Sequence, residues 1–140
     1  MFTMTVAGSD TFTIPKECIE SAKFITDIPQ DSDARTGDVG TTLIVEGKIL
    51  TATDGDPFDS TRQMALWSAV PSRRAECYRS VMLKNVRGDV VVREYVFPNA
   101  FVVDYNERFD DAEGVGTFTL KIKQKKDRIE HVAVNGGFVG

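Results

Sequence analysis

Three aspartates, Asp54, Asp56 and Asp59, come nearest to a ligand set in this sequence. Oxygens so spaced suit a hard cation, but the run lacks the calcium-loop pattern and its distal glutamate, so a polar turn is the preferred reading. His131 is the only histidine, which removes histidine-based triads and most zinc sites. It falls in a strand-like segment, where packing or a surface position is preferred over catalysis. Ser68, Ser72 and Ser80 have no histidine near them in sequence. Asp110 and Asp111 would serve acid–base chemistry only inside a cleft, and nothing in the sequence indicates one. Gly114-Val115-Gly116 is no phosphate fingerprint, because no strand–turn–helix surrounds it. Cys18 and Cys77 lack metal or redox spacing. They read as buried thiols of a reducing compartment, and no spacing supports a disulfide. The expectation is a chain without catalytic residues, metal or cofactor.

Charge is segregated instead. Asp104, Glu107, Asp110, Asp111 and Glu113 form an acidic stretch, and Lys121, Lys123, Lys125, Lys126 and Arg128 a basic one soon after. Two readings stay open: opposite surfaces that meet between copies, or hairpin neighbours that compensate inside one chain. The basic run carries no outward aromatic for base stacking, and the formal net charge is −4. No nucleic-acid partner is expected.

The elements that position these charges are mostly strands. Residues 1–140 are one ordinary domain in length. With 41% hydrophobic residues and nine phenylalanines the chain is able to bury a core. No segment is long enough for a membrane helix, and no signal peptide is visible, so a cytoplasmic origin is expected. Phe2 to Val6 and Thr11 to Ile14 read as a hairpin around Gly8-Ser9-Asp10. Cys18 to Ile28 reads as a strand stopped by Pro29. Residues 30 to 40 form a long polar loop. Thr41 to Leu50 is a strand in which Gly47 marks a bulge or a close backbone approach. Asp59 or Ser60 is placed to cap a helix from Thr61 to Val70, with Met64, Leu66 and Trp67 on its apolar side. Ala75 to Leu83 reads as a strand, followed by a tight turn with Gly88 at positive φ.

Val90 to Lys126 organises the rest. It reads as three strand-like segments, the first two parted at Pro98-Asn99. Alternation puts Phe101, Val103, Tyr105, Glu107 and Phe109 on the preferred core face of the second, and Phe118, Leu120 and Ile122 on that of the third. Ile129 to Val134 reads as a closing strand. The sum is about eight strands and a helix, a barrel or two packed sheets. Partly apolar outer faces call for a cover, either the helix or another subunit.

Three stretches carry a resemblance. They are D-S-D-A-R-T-G-D-V-G-T-T-L-I-V-E-G-K-I (31 to 49), the tryptophan-bearing helix around Met64 to Val70, and Y-V-F-P-N-A-F-V-V-D-Y-N-E-R-F (95 to 109) followed by G-T-F-T-L-K-I-K-Q-K-K (116 to 126). In these the chain resembles the Hcp or TssD tail-tube family of type VI secretion and related phage-like contractile injection machines. The resemblance implies a mainly β fold, a small β-barrel of two packed antiparallel sheets with one flanking α-helix. It implies hexameric rings that stack into a hollow tube with a polar bore, inside a sheath and under a spike, with baseplate partners and no chemistry. Assembly is then cytoplasmic, with delivery through a target envelope and no stable membrane insertion. The candidate inter-subunit contacts are Asp31, Asp33, Arg35 and Asp38 of the polar loop, with Asp104, Glu107, Lys121, Lys123 and Lys125 of the charged strands. A non-catalytic adaptor, baseplate or tail-terminator subunit on the same barrel is the alternative, and an enzyme with an unrecognised site the second.

Overall fold

The computed structural model describes residues 1–27, 40–112, 114–125, 128 and 131–139. The strands are β1 (Phe2–Ala7), β2 (Thr11–Ile14), β3 (Ile19–Asp27), β4 (Gly40–Ile49), β5 (Arg79–Arg87), β6 (Val90–Arg108), β7 (Gly116–Gln124), β8 (Ala133–Asn135) and β9 (Phe138–Val139). One α-helix among the described residues, α1 (Ser60–Ser68), lies between β4 and β5. All ladders are antiparallel and belong to a single nine-stranded sheet, ordered β2-β1-β5-β6-β7-β4-β3, with β8 and β9 also paired to β6. One sheet therefore replaces the two packed sheets expected. It curls until β1 and β3 touch, but no ladder joins them among the described residues.

Strand β6 is the spine. It is 19 residues long and runs unbroken through Pro98-Asn99, where the sequence suggested a pause. The pause is a handover between its two edges: β5 pairs with it as far as Ala100, and β7 pairs with its other edge from Ala100 onward. Pro98 has no N–H to give a ladder, and the β5 register shifts opposite it, between Arg79 and Val81. Asn99 bridges the gap: its amide donates to Gln124 Oε1 at 3.0 Å and its carbonyl accepts from the Lys125 amide at 2.9 Å.

A second register shift, between Val102 and Asp104, corrects the face assignment. The bulge resets alternation. Ala100 is buried and Val102 and Tyr105 pack on the core, while Val103 and Phe109 are 46% and 68% exposed. Strand β7 follows its pattern without interruption: Phe118, Leu120 and Ile122 are buried. They meet Met4, Ile14, Leu43, Leu83, Phe97 and Trp67 in one core.

Gly47 is a close approach. A Cβ there would stand 1.8 Å from the Cys18 carbonyl oxygen, which accepts from the Lys48 amide at 2.7 Å. The bulge is on the facing strand, between Ile19 and Ser21. The turn before β6 has Gly88 at φ +64°, as its position requires.

Helix α1 packs on β6 and β2. Met64 and Trp67 are buried, but Leu66 is 50% exposed, so the apolar side is narrower than expected. Trp67 Nε1 donates to the Cys77 carbonyl at 2.8 Å, which ties the helix to the entry of β5. Asp59 occupies the N-cap position at φ 49° without a side-chain bond. The cap is Asp56, whose carboxylate accepts from the Ser60 amide and hydroxyl. The strand expected from Ala75 begins only at Arg79, after a 3-10 turn at Ala75–Cys77. The closing strand expected at Ile129 to Val134 is the short β8, Ala133–Asn135; Ile129 and Glu130 lie outside the described residues.

Candidate assembly surfaces

The residues that looked most able to do chemistry are structural or dispersed. Asp56 is 2% exposed and caps α1, while Asp54 accepts from the Thr51 hydroxyl at 2.7 Å. Among the described residues no cluster of three or more His, Cys, Asp or Glu side chains is able to hold a metal ion. Cys18 and Cys77 are free and buried. Burial first, then the Asp56 carboxylate, pushes the Cys18 thiol up to about 11. Burial and then Glu76 raise the Cys77 thiol. Both sit above the ordinary range and are poor nucleophiles at neutral pH. His131 is exposed and lies outside any strand.

The nine contact candidates divide. Asp31, Asp33, Arg35 and Asp38 lie outside the described residues. In mid-hairpin the acidic and basic runs face each other within one chain, for Asp104 is the register partner of Lys121. Lys123 Nζ stands 3.1 Å from Asp27 Oδ2, which also accepts from the Thr42 hydroxyl at 2.9 Å. The Thr42 bond first, then Lys123, holds the Asp27 carboxyl below its usual value. Glu107 lies near Tyr105, whose phenol is pushed well above its ordinary value by burial and then by that carboxylate. The Tyr105 hydroxyl reaches the Thr61 carbonyl at 3.5 Å.

Charged side chains also stand at the two ends of the β4–β7 pair. At one end Ile49, Leu50, Phe109, Asp110, Asp111 and Val115 line an open recess of about 480 Å³. Here the ring of Phe109 lies where a Cβ on Gly116 would stand, within 2.4 Å, and holds its exposed position over that glycine. At the other end Thr41, Tyr78, Phe101, Lys123, Gln124 and Lys125 line a recess of about 400 Å³. Tyr78 and Phe101 meet edge to face at 5.9 Å, and Lys125 Nζ stands 5.1 Å from the Tyr78 ring centre. The role of Phe101 was hidden by its assignment to the core, and Tyr78, which precedes β5, gave no signal of its own.

Apolar surface and open edges complete the picture. Met82, Val90, Val92 and Val139 are 36%, 41%, 40% and 79% exposed and belong to the outer face of the β5–β6–β9 region. At the sheet margin, β2 and β3 each present one edge with no ladder among the described residues. Phe58, 87% exposed, stands beside the β2 edge. Such a combination invites pairing or cover by another chain.

Sequence signals alone also missed Arg79. It is 8% exposed, its Nε has no hydrogen-bond partner among the described residues, and its guanidinium carbon lies 5.7 Å from the Trp67 ring centre.

No protein-family model and no curated protein matches the chain. Solved structures do. Hcp1 from Flavobacterium johnsoniae is similar with a TM-score of 0.59 and 20% identity, over 99% of this chain and 98% of that one. A chain of the anti-feeding prophage baseplate is similar with a TM-score of 0.54 and 16% identity, over 96% of this chain and 92% of that one. A chain of the sheath–tube complex of PVC, an extracellular contractile injection system, gives 0.54 and 11% over 97% and 88%. The chain thus shares the mainly β fold with one helix of Hcp1 and of these injection-system chains, in a single sheet where the sequence resemblance implied a barrel of two packed sheets.

Proposed function

We propose that this chain is a non-catalytic structural subunit whose copies close into hexameric rings, and that the rings stack into the inner tube of a contractile injection apparatus. The carrying observation is the likeness to Hcp1 across 99% of the chain, end to end rather than through one motif. Residues 1–140 then act as a single tail-tube-like domain, and closure of the curled sheet into a barrel belongs to the assembled state. The exposed edges of β2 and β3 and the apolar strip of Met82, Val90, Val92 and Val139 are what a ring of copies would cover. Outward threonines and charged residues would face a polar bore. Sheath, spike and baseplate proteins are the expected partners, with assembly in the cytoplasm and delivery outward on contraction. No helix among the described residues is long and apolar enough to cross a membrane.

A second reading has support of its own, since a chain of a baseplate assembly is similar to this one over 96% of its length. On that reading the subunit is an adaptor, baseplate or terminator part that does not propagate a tube. Native mass spectrometry and negative-stain microscopy of the purified protein separate the two. Six-fold annuli and their stacks support the tube; a monomer or dimer at micromolar concentration refutes it and leaves the adaptor.

A further inference from the structure

We draw no further inference here: the strongest candidate, the recess of Thr41, Tyr78, Phe101 and Lys123 at one end of the β4–β7 pair, lies where the chain passes out of the described residues at Asp27, Gly40 and Lys125, and nothing in the structure shows what covers it.

Discussion

Removing the Asp56 carboxylate tests whether a residue upstream of the helix holds it to the sheet. Its two oxygens accept from the Ser60 amide at 3.1 and 2.9 Å, and Oδ2 accepts from the Ser60 hydroxyl at 2.9 Å. Asp56→Ala leaves both donors without an acceptor on a residue that is 1% exposed. A lost cap costs about 0.5–2 kcal/mol, and an unsatisfied buried donor about 1–3 kcal/mol. Relief of the carboxylate's own desolvation and entry of water offset part of that. The net expectation is about 2–4 kcal/mol. At about 3–4 °C per kcal/mol for a chain of this size, Tm falls by about 6–16 °C. Asp56→Asn keeps an acceptor and costs about 1 kcal/mol or less. Urea unfolding with both variants reads the difference. The Cys18 thiol gives an independent signal. Part of its rise to about 11 comes from Asp56, so Asp56→Ala lowers it, while burial keeps it above the ordinary value. An Asp56→Ala protein within about 2 °C of wild type, with an unmoved Cys18 titration, refutes the assignment.

Other substitutions separate backbone from side-chain constraints. Gly47→Ala sets a methyl against the Cys18 carbonyl and breaks its bond from Lys48, a loss of about 3 kcal/mol or more in urea unfolding. Gly116→Ala meets first the exposed Phe109 ring, a side chain at the surface that is able to move aside, so the cost stays within about 1 kcal/mol. Equal losses at the two glycines would contradict this. Arg79→Met keeps the stem that packs on Gly8 and removes a buried guanidinium whose Nε has no partner among the described residues; stability holds or rises. A loss above about 2 kcal/mol would show a partner that the charge depends on. Asp27 titrates below its usual value in the folded chain, so its contribution is complete above the unfolded value of about 3.9 and is lost as pH falls through the lower folded one. The group is 43% exposed, so the effect is small. Thr42→Val moves the Asp27 carboxyl resonance midpoint upward in an NMR titration; an unmoved midpoint assigns the shift to Lys123 alone.

Where local chemistry decides, the sequence was readable. The Gly8-Ser9-Asp10 turn, positive φ at Gly88, the alternation of Phe118, Leu120 and Ile122, and the crowding at Gly47 all came from residue type and spacing. Partner choice was not readable. Pro98 looked like the end of a strand because it cannot feed a ladder, yet the strand continues because β5 pairs with one edge up to Ala100 and β7 takes up the other edge from there. One sheet or two depends on the same long-range pairing. Capping failed for a local reason: Asp59 has the preferred type at the preferred position, but its left-handed backbone leaves its side chain unbonded and Asp56 supplies the oxygens.

The assembly surface was hidden by one extra residue. Strict alternation places Phe101, Val103, Tyr105 and Phe109 together on a core face. The bulge between Val102 and Asp104 keeps Val102 and Tyr105 on the core and turns Phe101 and Val103 away from it, while Phe109 lies beyond the last residue of β6. Phe101 turns to Tyr78 at the basic end, and Phe109 comes to rest over Gly116 at the acidic end. A bulge is fixed by how two strands align and not by either strand alone, so no reading of β6 in isolation reveals it. The irregularity accounts for the outward turn of Phe101, and the end of β6 at Arg108 for the exposure of Phe109. A chain that only had to fold would gain by burying those rings. Leaving Phe109 68% exposed beside two carboxylates makes physical sense when another copy supplies the missing contact.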